Sequence, residues 1–281
     1  MARYGVRRLL PVLCLAAGVV RLHPCAAEEV LVVEQDYRIT QQDKEGVEAK
    51  DIRQKMYLSR DWIRIDEFSG PSKQPAETYL IDFKKKQIVN LDNEDLTKTI
   101  ESFDRRRERI EERKRKVRDD LDNLPPGPQK DKTAQLYRAM LDDDRSFRLI
   151  QDKKAEKKAI AEVECAPVRI EAENDPGYAP FTAYLHPDVV LPYDSAEVLY
   201  LLQIVGARMR DFLNRHKDQL RRLPMEMSVD LAAGGSLQLN VVSVARFDRG
   251  KLDRNLNAVP EGYKDKPVVG PPRPPQKAQP D

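Results

Sequence analysis

Few residues of this 281-residue chain stand at spacings that could do chemistry. Asp66-Glu67 sets two carboxylates side by side, the raw material of general acid–base work, but no partner acid, base or nucleophile lies near them in sequence. A strand end facing water accounts for both. Asp142-Asp143-Asp144 offers oxygens to a hard cation, yet lacks the glycine and spaced ligands of a calcium loop, so a solvated helix face accounts for it as well. His186 and His216 are isolated, with no Cys or carboxylate at metal-ligand spacing. The sequence holds no Gly-x-Ser-x-Gly elbow, no phosphate-cradling glycine loop and no dinucleotide fingerprint. These patterns predict a non-enzymatic protein with no cofactor and no metal. Trp62 flanks a turn, where it can stack on a ligand or cap a sheet.

The N-terminus supplies an address. Arg3, Arg7 and Arg8 occur without an acid, Leu9 to Val20 is uncharged and apolar, and Cys25-Ala26-Ala27 puts small residues before Glu28-Glu29. This three-part pattern predicts a secretory signal peptide over 1–27, its apolar run falling short of the roughly 20 residues of a bilayer span. Lipidation of Cys25 is the competing outcome, against which stand His23 and Pro24 where a lipobox has small residues. Cleavage leaves 45 of the 49 basic side chains against 47 acidic ones, a formal charge of −2 in place of +2. The pI of 8.3 belongs mostly to the leader, so a nucleic-acid partner loses its electrostatic support. Only Cys165 survives, which rules out an intramolecular disulfide and suits a buried apolar Cys. Export without a disulfide framework points to the periplasm or cell envelope of a bacterium.

Stepping along the mature chain, Val30 to Phe103 reads as an antiparallel meander. Strands are expected over Val30–Ile39, Val47–Leu58, Trp62–Asp66, Tyr79–Phe83, Gln87–Leu91 and Thr97–Phe103. Ile63 and Ile65 alternate with Arg64 and Asp66, the period of a sheet with one dry and one wet face. From Asp104 the composition changes: Asp104–Asn123 holds nine basic and seven acidic residues. Phe103, Ile110, Val117 and Leu124 recur every seventh position, with Leu121 between, a thin coiled-coil stripe on a charged helix. Pro125-Pro126-Gly127-Pro128 ends it. A second helix is expected from about Lys132 to Ala159, with Leu136, Met140, Phe147 and Ile150 on its stripe. Together they make a solvated helical hairpin, 104–160, standing out from the sheet.

The β pattern returns in Val168–Ile170 and Phe181–Leu185. Asp194-Ser195-Ala196-Glu197 resembles a capping box and opens a helix expected to run to about Arg222. Its first half, Val198 to Val205, is apolar almost all round, as in a helix buried on two sides or covering a cavity. Met225–Leu231 and Leu237–Val241 form a hairpin about Gly234-Gly235. The proline-rich tail, 266–281, reads as disordered.

The pieces Val47–Leu58, Trp62-Ile63-Arg64-Ile65-Asp66, Tyr79–Leu91 and the closing hairpin with Leu256-Asn257-Ala258-Val259-Pro260-Glu261-Gly262-Tyr263 carry a resemblance. The chain resembles exported bacterial proteins that share the fold of the outer-membrane lipoprotein carriers. There an early strand ends in a Tyr-Leu-like pair, turns, and continues into an Arg-Ile-Asp-like strand, and the last element is commonly Val-Pro-x-Gly-Tyr-like. The resemblance implies an α+β domain over 28–265: a strongly curved antiparallel sheet, an incomplete barrel, with a helical lid. The inserted hairpin departs from the family's compact pattern. A lipid, lipoprotein acyl chain or other apolar ligand would lie between sheet and lid. The sheet lining implied is Met56, Ile63, Ile65, Tyr79, Ile81 and Phe83 with Trp62 beside them, and the lid contacts are Leu201, Ile204 and Val205. The alternative is a filled core, the chain then acting as an envelope interaction module through its charged hairpin and tail, with binding that weakens in salt.

Overall fold

The computed structural model describes residues 29–42, 47–137, 139–141, 145–150, 156–174, 178–231 and 236–267. The expected signal peptide, Asp142-Asp143-Asp144, the Gly234-Gly235 turn and all of the tail from 268 onward lie outside the described residues. Six strands open the chain: β1 (Glu29–Gln42), β2 (Val47–Leu58), β3 (Trp62–Phe68), β4 (Glu77–Asp82), β5 (Gln87–Asp92) and β6 (Thr97–Ser102). Helices α1 (Phe103–Asn123) and α2 (Pro128–Leu136) follow. Strands β7 (Phe147–Ile150), β8 (Lys158–Ile160), β9 (Val163–Ala172) and β10 (Phe181–Val190) lead to α3 (Ser195–Leu201), α4 (Ala207–Arg215) and α5 (Lys217–Leu220). Strands β11 (Arg222–Asp230), β12 (Ser236–Asp248) and the short β13 (Lys264–Asp265) complete the set.

All thirteen strands join one mostly antiparallel sheet in the order β13-β6-β5-β4-β3-β2-β1-β12-β11-β10-β9-β7, with β8 also on β9. The chain is therefore α+β, and its meander is the one the alternation predicts. Pairing of β1 with β12 brings the first and last long strands together in the middle, Glu29 opposite Asp248. The sheet neither closes nor curls strongly, so the expected incomplete barrel is corrected to an open sheet with a helical cover.

Two further expectations are corrected. No helix runs over 132–159 among the described residues: α2 stops at Leu136, and Phe147–Ile150 instead extends the sheet along β9, Phe147 opposite Ala172. Phe147 is buried and meets Phe212 edge-on at 5.9 Å. Nor is α1 a free arm. Its seven-residue stripe is real, burying Phe103, Ile110, Val117 and Leu121, but those residues pack within the chain. Ile110 joins the core beneath α4, while Val117 and Leu121 pack on Met140.

The helix expected over 194–222 is broken twice. The first break separates α3 from α4, where Gln203 takes a left-handed φ of 59° and Gly206 caps the start of α4, and the second falls at His216, between α4 and α5. On the outer face, the segment before β13 lies across the meander. Val259 and Tyr263 pack on Leu80, Val89 and Leu91, and Arg64 donates to the Leu256 carbonyl at 3.1 Å. No helix among the described residues is long and apolar enough to cross a membrane.

Candidate functional site

Between the inner face of the sheet and α3–α5 lies a cavity of about 890 Å³, within the ~300–1,000 Å³ range of small-molecule sites. Period-two alternation builds its floor: Met56 of β2, Ile63 and Ile65 of β3, and Tyr79 of β4 all point inward, with Phe83 just beyond β4. Tyr37 and Ile39 of β1, Met227 of β11 and Leu239 of β12 extend the same wall. The roof is Val198 and Leu199 of α3, Leu202 and Ile204 of the turn after it, and Leu213 of α4. An apolar helix surface facing a dry sheet face would ordinarily fill such a space; here the side chains leave it open.

Six of the residues expected to contact a ligand line this cavity: Met56, Ile63, Ile65, Tyr79, Phe83 and Ile204. The other four do not. Ile81 is 1 % exposed and Leu201 0 %, both locked in the core beside the cavity, and Val205 is buried under α4. Trp62 points to the opposite face, where the Arg249 guanidinium lies 5.4 Å from its ring.

A short polar chain crosses the floor. Tyr37 Oη donates to Glu67 Oε1 at 2.7 Å, Gln54 Nε2 donates to the same oxygen at 2.8 Å, and Gln35 Nε2 donates to Gln54 Oε1 at 2.6 Å. All four side chains line the cavity. Burial, then the charge and hydrogen bond of Glu67, push the Tyr37 phenol far above its ordinary value. Burial and the hydrogen bond to Glu77 do the same for Tyr79. Tyr193, stacked on Phe83 at 5.8 Å, is raised by burial alone. Sequence reasoning missed this chain, although Gln35, Tyr37, Gln54 and Glu67 fall on the inward positions of β1–β3. Asp66 does not face water as expected: it is buried on the outer face, accepting from Thr78 Oγ1 at 2.7 Å and Arg64 Nε at 2.9 Å.

The lid is held by α1. Asp194 caps α3, accepting from the Glu197 amide at 3.1 Å, but the Glu197 carboxylate turns outward to Arg107, 2.8 Å away. Arg106 Nε donates to the Leu201 carbonyl at 2.8 Å, Arg113 to Gln203 Oε1 at 3.0 Å, and Tyr200 Oη to Glu111 at 3.0 Å. The charged helix is thus a brace across the cover. Exposed Arg60, Lys217 and Arg222 stand where the cavity meets solvent.

Elsewhere the candidate residues have structural surroundings. His186 Nδ1 accepts from the amides of Asp188 and Val189 at 3.0 and 3.1 Å, and burial lowers its pKa. His216 lies against the Phe212 ring. Cys165 is fully buried and its thiol is raised by burial. Among the described residues no group of three or more His, Cys, Asp or Glu could hold a metal ion.

No family model and no curated protein matches the chain. Solved structures with a related arrangement do exist. One is an uncharacterized conserved protein from Thermus thermophilus, 9% identical over 86% of this chain and 91% of that one, at a TM-score of 0.40. A domain from Vibrio parahaemolyticus described as outer membrane lipoprotein-sorting is 8% identical, covering 81% and 89% at a TM-score of 0.29. A LolA superfamily protein from Nitrosomonas europaea is 8% identical, covering 78% and 86% at 0.27. The likeness is loose, and the functional reading stands on the geometry of this chain.

Proposed function

We propose that the protein binds a lipid, an acyl chain or another elongated apolar ligand between the sheet and the α3–α5 cover, acting by binding and release. It would do so as an exported protein of the bacterial envelope, the address its N-terminus spells. The observation that carries this reading is the cavity itself, about 890 Å³ and walled chiefly by Met, Ile, Leu, Tyr and Phe side chains. Burying apolar ligand surface there gains about 25 cal/mol per Å² before the entropy of association is subtracted. The polar chain across its floor, Tyr37–Glu67–Gln54–Gln35, bonds to itself. Release would require the α3–α5 cover to shift, the seven-residue α3 being held by α1 through Arg107 at its start and Arg106 at its end. An uncharged, polarity-sensitive alkyl dye titrated into the delipidated full-length protein tests the reading. Saturable binding at one dye per chain with a blue-shifted emission is expected. Absence of saturable binding would overturn it.

A further inference from the structure

Beside the cavity, α1 presents a second concavity of about 530 Å³. Arg106, Arg109, Arg113 and Lys116 line it. Their offsets of three, four and three residues put all four on one stripe of the helix, about 15 Å long at the rise of an α-helix. Among the described residues Asp120 is the one acid on this lining, and Glu101 sits buried beneath, taking Arg109 at 2.6 Å and Arg106 at 3.3 Å through Oε2. Basic side chains thus predominate among the described residues of a partly enclosed cleft.

The cleft and the cavity are neighbours. Arg106 and Gln203 line both, so only the Gln203 turn and the Arg106 side chain, held by the bonds to the Leu201 carbonyl and from Arg113, lie between them. Arg106 and Arg109 spend only part of their donors on Glu101 and the Leu201 carbonyl, and a guanidinium offers five. Burial and the neighbouring Arg106 lower the pKa of Arg109 even though Glu101 beside it acts the other way, the mark of a cation crowded by another.

We infer that this cleft holds the anionic headgroup, a phosphate or a carboxylate, of an amphiphile whose chain occupies the cavity. The inference rests on the cavity reading and adds the substrate class: anionic amphiphiles are favoured over neutral or cationic ones of equal chain length. Forked donors on a fixed helix suit oxyanions, because charge-assisted bonds are the stronger kind.

The test measures binding of dodecyl phosphate, dodecanoate, dodecanol and dodecyltrimethylammonium to the full-length protein, with inorganic phosphate as a competitor. Dodecyl phosphate or dodecanoate should bind at least about tenfold more tightly than dodecanol, and whichever of the two leads identifies the headgroup. Arg109→Gln and Lys116→Gln should each erode that preference about threefold or more while dodecanol binding stays unchanged, which also shows that the variants fold. Arg60→Gln and Lys217→Gln, at the solvent mouth, should leave the preference intact. Equal affinity for the anionic and neutral amphiphiles would overturn the headgroup assignment alone. A preference that survives both cleft substitutions, or that falls with the mouth substitutions, would do the same. Failure of all four amphiphiles to bind would bring down the cavity reading and the inference with it.

Discussion

Asp66 and Glu67 are neighbours in sequence and work on opposite faces of β3, because successive strand residues point to opposite sides. They cannot act as a catalytic pair. Glu67 belongs to the cavity floor and Asp66 to the outer face, a distinction the period of two could have supplied. Depth within the inner face was not legible in the same way. Ile63 and Ile81 are cross-strand partners, yet only Ile63 reaches the cavity, since contact with the space depends on how the cover sits above each residue. Met56→Trp and Ile204→Trp should each narrow the cavity between sheet and cover, lowering alkyl-dye affinity at least about tenfold while the thermal midpoint moves by only a few degrees. Leu201→Ala, at a fully buried position beside it, should instead cost about 2–5 kcal/mol in urea unfolding. The raised phenols of Tyr37, Tyr79 and Tyr193 set the alkaline response. Unfolded tyrosines ionise near pH 10, so above that the unfolded chain sheds protons that the folded chain keeps. Stability is full below about pH 10 and falls as pH rises beyond it. Urea midpoints on either side of pH ~10 should show the drop, shallower in Tyr37→Phe.

At the scale of elements, the strands of the meander were readable because each carries its own alternation and its own turn. Phe147–Ile150 was not, since Leu136, Met140, Phe147 and Ile150 also fit a helical stripe, and its true partner, β9, lies beyond two intervening breaks. Alternation of buried Phe147 with exposed Arg148 was the available signal. The break between α3 and α4 had a local sign in Gly206, whereas Gln203, in the left-handed region of the same break, had none. Its conformation is secured from outside by Arg113. The lid should respond to its cap: Asp194→Ala removes the acceptor of the Glu197 amide and should cost about 1 kcal/mol. Faster dye exchange should accompany that loss, checked by stopped-flow displacement. Arg107→Ala breaks the partly exposed pair with Glu197 and should cost no more than about 1 kcal/mol.

As a whole, the molecule is an open sheet spanned by a small helical cover, with a charged helix bracing that cover and a terminal segment lying across the other face. The meander and the two-sided apolar character of 198–205 announced a sheet and something over it. Whether the space between was filled depended on how long-range packing of helices and strands closes, which no local pattern encodes. A ligand bound only by the folded state adds stability as its concentration rises above its dissociation constant, so delipidation should lower the thermal midpoint. The most direct measurement is made on the full-length chain expressed in a bacterium and purified without detergent: solvent extraction followed by mass spectrometry of the extract. The cavity reading predicts a defined amphiphile at close to one per chain, depleted in Met56→Trp and Ile204→Trp. A stable wild-type protein that yields no lipid and takes up none when it is offered would contradict it.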